Sequence, residues 1–379
     1  MIPASVYVHF PWCLKKCPYC DFATRKIDRP EVPHRAYADA VLRELDRRAP
    51  ELAGRRLVSV FFGGGTPSLW DEPELGRVLA GARSAFDEVA GDIEVTVECN
   101  PSSLDSRKAA ALRAQGVDRL SIGVQSLDDE RLRFLGRFHD AGGALGAIEA
   151  AMTEVPRVSA DLMFGMPDQS PAALLDDARR LLDAGVRHVS AYMLTIEPGT
   201  QFGELHRKGK LRVAPEDTYA EMFAGAAELF ATSGLAHYEV SNYAVPGEES
   251  RHNQHYWRGG AYVGLGAAAV GCLDERPGSA RRWRNEPEGA RYLQAQLEES
   301  EERLGPAEIV REALMLGLRT REGVDLAATA ERAGTDPLAG RERALERRVA
   351  RGDLLHEAGR LRVPEPRWLQ LDSIVVDLF

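Results

Sequence analysis

The sequence predicts an α/β protein whose main domain is a partial (β/α)6 barrel. Six short runs of apolar and β-branched residues recur along its first half. Most of them are apolar throughout rather than alternating, as expected for parallel strands covered on both faces. Helical patterns separate the runs, which indicates repeated βαβ units. The predicted strands are Ser5–Phe10, Leu57–Phe62, Ile93–Glu98, Arg119–Val124, Val158–Phe164 and His188–Leu194.

Polar groups at the strand ends favour a barrel over an open doubly wound sheet. A doubly wound sheet concentrates its functional residues at one switch point. A barrel collects them from the C-terminal ends of many strands. Here each strand contains or precedes such a group, in the order Cys13 to Cys20, Gly63–Pro67, Glu98 with Asn100-Pro101, Gly123–Ser126, Asp161 with Gly165–Pro167, and Tyr192-Met193.

The remaining elements divide the chain into three predicted parts. Residues 1–200 form the barrel, residues 201–290 extend it, and residues 300–379 form a small, mainly helical, winged-helix-like domain. We predict a polar loop up to Trp257 and a linker over Glu275–Pro287, which is rich in Pro, Gly and Arg. The predicted helices are His34–Ala49, Pro73–Glu88, Asp105–Gln115, Asp128–Leu135, Ala141–Thr153, Pro171–Ala184, Pro215–Ser233, Ala307–Leu318, Leu326–Ala333 and Leu338–Arg351, with a strand at His237–Ser241 and a hairpin at Leu354–Val363.

Composition restricts the function classes. A net charge of −10 over 379 residues argues against nonspecific nucleic-acid binding. Five cysteines are too few for a disulfide scaffold in a chain of this length. The N-terminus lacks the pattern of a signal peptide, and the most apolar late stretch, Tyr262 to Leu273, is too short to span a bilayer. We therefore expect a cytoplasmic protein without a transmembrane segment and with reduced thiols.

The most informative motif is the cysteine trio Cys13, Cys17 and Cys20, spaced C-x3-C-x2-C directly after a predicted strand. Three thiolates suit a four-iron cluster in which one iron has no protein ligand and can bind an exchangeable molecule. The alternative is a structural zinc site, which normally needs a fourth ligand. The nearby candidates for that ligand are His9 and Asp21. The spacing favours the cluster.

Two glycine-rich segments have different interpretations. Gly63–Pro67 follows a buried strand, so its backbone can approach a ligand closely, with N–H groups free to bond a carboxylate or an amine. The alternative is a flexible turn. Gly264–Ala269 resembles a dinucleotide fingerprint, but Pro277 and Gly278 follow too soon for the long helix that such a site requires. We interpret it as a tight glycine loop.

The segment His252–Trp257 places two histidines beside two aromatic residues. One interpretation is a loop whose rings pack on the barrel rim. The other is a site for a flat aromatic ligand or haem, with His252 or His255 as axial ligand. Spacing alone does not decide between them.

Taken together, these segments resemble the radical S-adenosylmethionine (SAM) superfamily and, within it, the haem chaperone branch of the oxygen-independent coproporphyrinogen III oxidase family. The resemblance covers nearly the whole chain. It rests on Tyr7–Cys13, Cys17–Cys20, Phe62–Pro67, Leu120–Ser126 and Asp161–Pro167.

This resemblance implies a radical SAM barrel with a [4Fe–4S] cluster bound by Cys13, Cys17 and Cys20 and SAM on the fourth iron. In this interpretation the Gly backbone and Thr66 hold the methionine amine, Glu98 accepts from a cationic or hydroxyl group, and Asp161 holds ribose hydroxyls. The cofactors carry the chemistry, and the protein orients them. The residues that match the family's SAM contacts are Tyr7, Tyr19, Gly64, Gly65, Thr66, Glu98, Gln125, Arg137, Asp161 and Met193.

One departure favours the haem chaperone branch. The oxidase resembles C-x3-C-x2-C-x-C, whereas this chain has Phe22 at the last position and a shorter N-terminal segment. The branch also carries a His-Asn-x-x-Tyr-Trp segment linked to haem binding, so the resemblance implies His252 as the haem ligand. We therefore expect haem, a haem-accepting protein and a flavodoxin- or ferredoxin-type electron donor as partners, and no nucleic acid. The alternatives are coproporphyrinogen III dehydrogenase activity and radical chemistry on another tetrapyrrole.

Overall fold

A computed structural model describes residues 1–295 and 298–379, and its central feature is one twelve-stranded sheet. Six parallel strands form the middle of the sheet, and they are neighbours in chain order. A doubly wound sheet would reverse its strand order at a switch point, and these six strands show no such reversal. The predicted barrel is confirmed. The strands are β1 (Ile2–Phe10), β4 (Arg55–Gly64), β5 (Glu88–Cys99), β6 (Arg119–Gln125), β7 (Arg157–Phe164) and β8 (His188–Met193).

Helices follow these strands and bury their apolar faces against the outside of the sheet in one core. Several of these helices begin at a residue whose side chain caps the first turn. For example, the Ser170 hydroxyl accepts from the Ala173 N–H, with Pro171 in the first turn. The predicted helices in this half are confirmed to within a few residues. They are α1 (His34–Arg48), α2 (Glu72–Ser84), α3 (Ser106–Ala114), α4 (Asp129–Phe134), α5 (Ala141–Glu154) and α6 (Pro171–Asp183).

The second half of the chain extends the sheet at both ends. β10 pairs antiparallel with β8, and β11 pairs parallel with β1. The predicted loop up to Trp257 is wrong, because this segment contains β10 and α9. The elements are α7 (Gln201–Arg207), α8 (Glu216–Thr232), β9 (Ala236–Glu239), β10 (Asn242–Ala244), α9 (Arg251–Trp257), β11 (Ala261–Leu265), β12 (Val270–Arg276), β13 (Ser279–Asn285), α10 (Gly289–Leu293) and β14 (Glu298–Leu304).

The predicted linker over Glu275–Pro287 is also wrong. This segment contains the end of β12, the turn Pro277-Gly278 and all of β13, and the two strands pair as an antiparallel hairpin. Arg282 pairs with Glu302 of β14 at 3.1 Å, and Trp283 is fully buried with the Arg48 guanidinium 3.9 Å from its ring centroid. Cross-strand charge pairs stabilise this strand, and they require a partner that is distant in sequence.

The glycine loop Gly264–Ala269 connects β11 to β12 and opens no helix. A Cβ on Gly264 would lie 2.0 Å from the Val270 carbonyl oxygen, so glycine is required by the close approach of the two strands. The interpretation as a tight loop is confirmed.

The C-terminal region contains four helices and a three-stranded sheet of order β15-β17-β16. Its core is continuous with residues of β12, β13 and β14. The sequence missed the last helix. Within the described chain, none of the helices is both long and apolar enough to cross a membrane. The boundaries of the three proposed domains stay a prediction. The elements are α11 (Pro306–Gly317), β15 (Val324–Asp325), α12 (Leu326–Ala333), α13 (Glu342–Ala350), β16 (Leu355–Glu357), β17 (Arg360–Arg362) and α14 (Leu371–Asp377).

Candidate functional site

The three cysteines lie in a short segment that follows the C-terminal end of β1. β2 (Trp12–Cys13) and β3 (Arg25–Lys26) form a small parallel ribbon that closes this segment. The Ile27 N–H donates to the Cys13 carbonyl at 2.9 Å, and the Cys20 N–H donates to the Cys17 carbonyl at 3.1 Å. All three thiols are free and half-buried. They line a cavity of about 600 Å³ at the centre of the barrel.

The donor set and its surroundings fit an iron–sulfur cluster better than zinc. Across residues 1–295 and 298–379, no three His, Cys, Asp or Glu side chains converge on one point that could hold a single ion. Thiolates of a four-iron cluster bind different irons, so they need not converge. The His9 ring nitrogens lie 3.0 Å from the Tyr7 hydroxyl and 3.2 Å from the Ala23 carbonyl. This histidine is therefore already bonded and is a poor fourth zinc ligand.

A half-buried cation lies beside the cysteine thiols. The Arg137 guanidinium donates to Cys17 Sγ at 3.7 Å and to the Gly123 carbonyl at 2.7 Å. Burial raises the pKa of the Cys13 and Cys20 thiols. The thiols therefore need a positive partner to ionise, and a guanidinium and bound iron both supply positive charge.

The glycine loop Gly63–Pro67, at the C-terminal end of β4, packs closely against the cysteine segment. A Cβ on Gly65 would lie 2.5 Å from the Trp12 carbonyl oxygen, and Gly64 has a φ of 107°. The N–H groups of Gly64, Gly65 and Thr66 donate to Glu98, Phe10 and Trp12 respectively, at 3.0, 2.7 and 2.9 Å. The expectation that these N–H groups are free is wrong. A ligand amine at this loop has carbonyl oxygens or the Thr66 hydroxyl as acceptors.

Two half-buried carboxyl groups line the cavity on the inner face of the barrel. Burial, with a smaller contribution from Asp161, raises the pKa of Glu98 to about 8. Burial raises the pKa of Asp161 to about 6, and the Ser121 hydroxyl donates to this carboxylate at 3.2 Å. Each carboxyl suits a ligand that brings a hydroxyl or a cation to the buried site, because such a partner offsets the cost of ionisation.

Gln125 stands out by its backbone conformation, since it has a φ of 70° at the end of β6. Its side-chain oxygen accepts from the Tyr192 hydroxyl at 2.6 Å. A strained residue with a fixed side chain, beside a cavity, is typical of a binding site. Tyr192 is not among the contacts predicted from the sequence.

The structure brings the predicted SAM contacts together around one cavity. Tyr7 is the exception, because it is half-buried, does not line this cavity and stacks on Phe61 at 6.2 Å between ring centroids. Thr96, Ser121 and Ser190 also line the cavity but were missed. The period of two in their strands could have identified them, because each lies two or four residues from a predicted contact or from Tyr192. The predicted contacts that line the cavity are Tyr19, Gly64, Gly65, Thr66, Glu98, Gln125, Arg137, Asp161 and Met193.

The predicted haem ligand His252 lies inside the molecule, on α9. It is 4% exposed, its ring stacks on Phe61 at 4.9 Å between centroids, and its Nδ1 lies 2.9 Å from the Ser59 hydroxyl. Burial lowers the pKa of His252 to about 3. The other candidate, His255, has its Nε2 2.8 Å from the Ala261 carbonyl. Both histidines are therefore bonded within the fold, and haem ligation by either remains a prediction.

Comparison with known proteins agrees with this geometry. A family model described as the radical SAM superfamily matches residues 7–181, and one described as the HemN C-terminal domain matches residues 304–369. The barrel, the cysteine segment and the glycine loop are thus those of a radical SAM protein. The cofactors of this class are a [4Fe–4S] cluster and SAM.

Relatives narrow the class. The *Escherichia coli* (strain K12) protein named Heme chaperone HemW is 38% identical over 301 residues, covering 78% of this chain and 78% of that protein. The *Mus musculus* protein named Radical S-adenosyl methionine domain-containing protein 1, mitochondrial, is 37% identical over 345 residues, covering 85% and 74%. This chain belongs to the family of the proteins named Heme chaperone HemW.

A solved structure supports the fold assignment. Coproporphyrinogen III oxidase (HemN) from *Escherichia coli* superposes with a TM-score of 0.81 at 21% identity, covering 100% of this chain and 90% of that chain. At this identity the likeness concerns the fold alone.

Proposed function

We propose that this protein binds haem and passes it to a haem-requiring acceptor protein, with a SAM-bound [4Fe–4S] cluster supporting the transfer. Three relatives that are 34 to 38% identical carry the name Heme chaperone HemW. The structural observation that supports the proposal is the location of α9. Asn253 lines the same cavity as the cysteines, and Phe61, which also lines it, packs on His252.

In this proposal His252 supplies the axial haem ligand through its neutral imidazole. The Nδ1 atom would exchange its contact with Ser59, or keep it while Nε2 binds iron. Because His252 is covered by Phe61, iron ligation requires α9 to move away from the barrel wall. The proposal therefore includes a local movement of this two-turn helix away from the barrel wall.

The residues of the barrel hold the other cofactors. Cys13, Cys17 and Cys20 bind three irons of the cluster, and the glycine loop, Glu98 and Asp161 orient SAM. Together these cofactors supply reductive cleavage of SAM when an electron is available. Lys15 and Lys16 are exposed on the cysteine segment, so an acidic flavodoxin- or ferredoxin-type donor would find a complementary charge there. We place this activity in the cytoplasm.

A second candidate is coproporphyrinogen III dehydrogenation, because the fold closely matches that of HemN. Phe22 counts against it. This residue stands where the oxidase pattern has a further cysteine, and it is 59% exposed. Radical chemistry on another tetrapyrrole is the third possibility that the class leaves open.

The haem assignment is tested by titrating haem into the cluster-loaded wild type and a His252→Gln variant, followed by the Soret band. We expect a shifted Soret band and at least tenfold weaker haem binding in the variant. Loss of a metal ligand costs more binding free energy than loss of a single hydrogen bond. His356→Ala, on the exposed C-terminal hairpin, is the control. An unchanged Soret band and affinity in His252→Gln would remove this residue as ligand.

The enzyme alternative is tested anaerobically with reductant, SAM and coproporphyrinogen III. We expect no protoporphyrinogen above background. Catalytic turnover would overturn the chaperone proposal.

The same preparation tests the cluster: Cys17→Ser should lose most of its iron and sulfide relative to Cys272→Ser, whose buried thiol lies on β12. Full iron and sulfide content in Cys17→Ser would contradict its role as ligand.

A further inference from the structure

The C-terminal turn of α4 places Arg137 beside the cysteine segment. The Arg137 N–H donates to the Leu132 carbonyl at 2.9 Å and closes this turn. Gly136, which has a φ of 70°, lies directly against the segment, because a Cβ there would be 2.9 Å from Pro18 Cδ. The side chain of Arg137 therefore lines the cavity next to the middle cysteine, Cys17.

Two contacts hold the guanidinium of Arg137 in place. Its Nη1 donates to Cys17 Sγ at 3.7 Å, and its Nη2 donates to the Gly123 carbonyl at 2.7 Å. A Cβ on Gly123 would lie 3.2 Å from Nη2, so the absence of a side chain at this position leaves room for the guanidinium. The second contact thus keeps the first N–H directed at the sulfur of a predicted cluster ligand.

Within the part of the chain that the structure describes, Arg137 forms no ion pair with a carboxylate. A cation that is removed from water is unfavourable unless an anion pairs with it. Arg137 is half-buried, and the contact of its Nη1 that can become anionic is the Cys17 sulfur. Lys15 and Lys16 are exposed, so water and salt screen their charges.

A cation in this position affects how readily a cluster accepts an electron. Net charge and hydrogen bonds to the ligand sulfurs set the reduction potential of an iron–sulfur cluster. Reduction adds one electron, which comes from the reductant, and makes the cluster more negative. A guanidinium that donates to a ligand sulfur offsets part of this added charge and so favours the reduced state.

We propose that Arg137 raises the reduction potential of the cluster through its hydrogen bond to Cys17. This inference rests on the proposed ligation of the cluster by Cys17, and it goes beyond the predicted contact of Arg137 with SAM. Because Arg137 acts through the sulfur, its effect is present before SAM binds.

The test is a redox titration of anaerobically reconstituted protein without SAM, followed by the electron paramagnetic resonance signal of the reduced cluster. Arg137→Met keeps most of the side-chain length and removes the charge and the N–H donors. We expect the reduction of its cluster to be at least tenfold less favourable, which lowers the potential by about 59 mV for one electron. Arg137→Lys keeps the charge and should recover part of this difference.

Arg133→Met is the matched control. Arg133 lies on the same helix with a side chain that is 71% exposed, so its removal should leave the potential unchanged. Because the potential is a property of each loaded cluster, partial loading of a variant does not alter it. Arg137→Gln, which keeps an N–H donor but loses the charge, replaces Arg137→Met if the latter takes up too little iron, and its potential should also fall.

The outcomes separate this inference from the proposed function. A wild type that takes up no cluster would overturn the ligation by Cys17, and the role of Arg137 with it. With a loaded wild type, the role of Arg137 alone is overturned if the uncharged variant has an unchanged or higher potential. It is also overturned if Arg137→Lys lies no closer to the wild type than the uncharged variant does.

Discussion

Gly65 links the cysteine segment to the barrel through contacts that no side chain could replace. Its N–H donates to the Phe10 carbonyl, and the space where a Cβ would lie is occupied by the Trp12 carbonyl oxygen at 2.5 Å. Both partners are backbone atoms and cannot rotate away. The position of Cys13, which follows Trp12 directly, therefore depends on the absence of a side chain at residue 65.

We predict that Gly65→Ala lowers the free energy of unfolding by about 1–3 kcal/mol, because the methyl group must push the Trp12 backbone aside. The iron and sulfide content after anaerobic reconstitution should fall with it. Gly146→Ala is the matched control. It lies in α5 with no atom within 4 Å of the added Cβ, so it should raise stability by about 0.5–1 kcal/mol. Equal stability and iron content in the two variants would contradict the role given to Gly65.

At the scale of elements, α9 is held in the barrel by a buried ion pair. The Glu94 carboxylate accepts from the His252 N–H at 3.0 Å and pairs with Arg119 at 3.1 Å. Arg119 in turn bonds the carbonyls of the two residues before Ser250, the N-cap of α9. The helix that carries the predicted haem ligand is thus attached to β5 and β6, although it follows them by more than a hundred residues.

We predict that Arg119→Met destabilises the protein by about 3–5 kcal/mol, because it leaves the Glu94 carboxylate buried with less compensation. Urea denaturation measures the loss, and hydrogen exchange should be faster at the His252 amide. The control is Arg77→Met, since Arg77 is 43% exposed and pairs with Asp39 at 2.7 Å. That exposed pair should contribute far less to stability than the buried one. Similar losses in both variants would show that the buried pair does not hold α9.

At the scale of the whole molecule, β9 joins the barrel to the C-terminal region. The Val240 N–H donates to the Arg319 carbonyl at 2.9 Å, and the Arg321 N–H donates to the Tyr238 carbonyl at 3.0 Å. Glu239 lies between these bonds, is fully buried, and has its pKa raised to about 8 by burial. The junction therefore contains an acid that favours its protonated form.

This junction predicts a pH dependence of stability. The folded state holds the Glu239 proton up to about pH 8, whereas the unfolded state releases it near the ordinary value of 4.5. The contribution of Glu239 is thus fully present below about pH 4.5 and is lost as the pH rises toward 8. Glu239→Gln removes this dependence, so its stability relative to the wild type should increase from pH 5 to pH 8.

Urea denaturation at both pH values measures the difference. Glu331→Gln, on the exposed side of α12, should show no such trend. A constant difference between Glu239→Gln and the wild type across this range would mean that Glu239 is ionised in the folded protein.

The sequence by itself determined the six βα units, the helices on the outside of the barrel and the positions of the cysteines and glycines. These features depend on local period, capping and spacing, which neighbouring residues encode. Alternation along a strand also predicts which side chains face the inside of the barrel. By this pattern Thr96, Ser121 and Ser190 belong to the inner face.

Tertiary structure alone decided the rest. The linker prediction missed β13 because Arg281 and Arg282 pair with glutamates that are distant in sequence. The same applies to α9, because its His252 is buried against Phe61 and Ser59, which precede it by nearly two hundred residues. The engagement of the N–H groups of Gly64, Gly65 and Thr66 likewise depends on β5, β1 and β2. Long-range pairing changes which polar groups are free, and no local pattern records it.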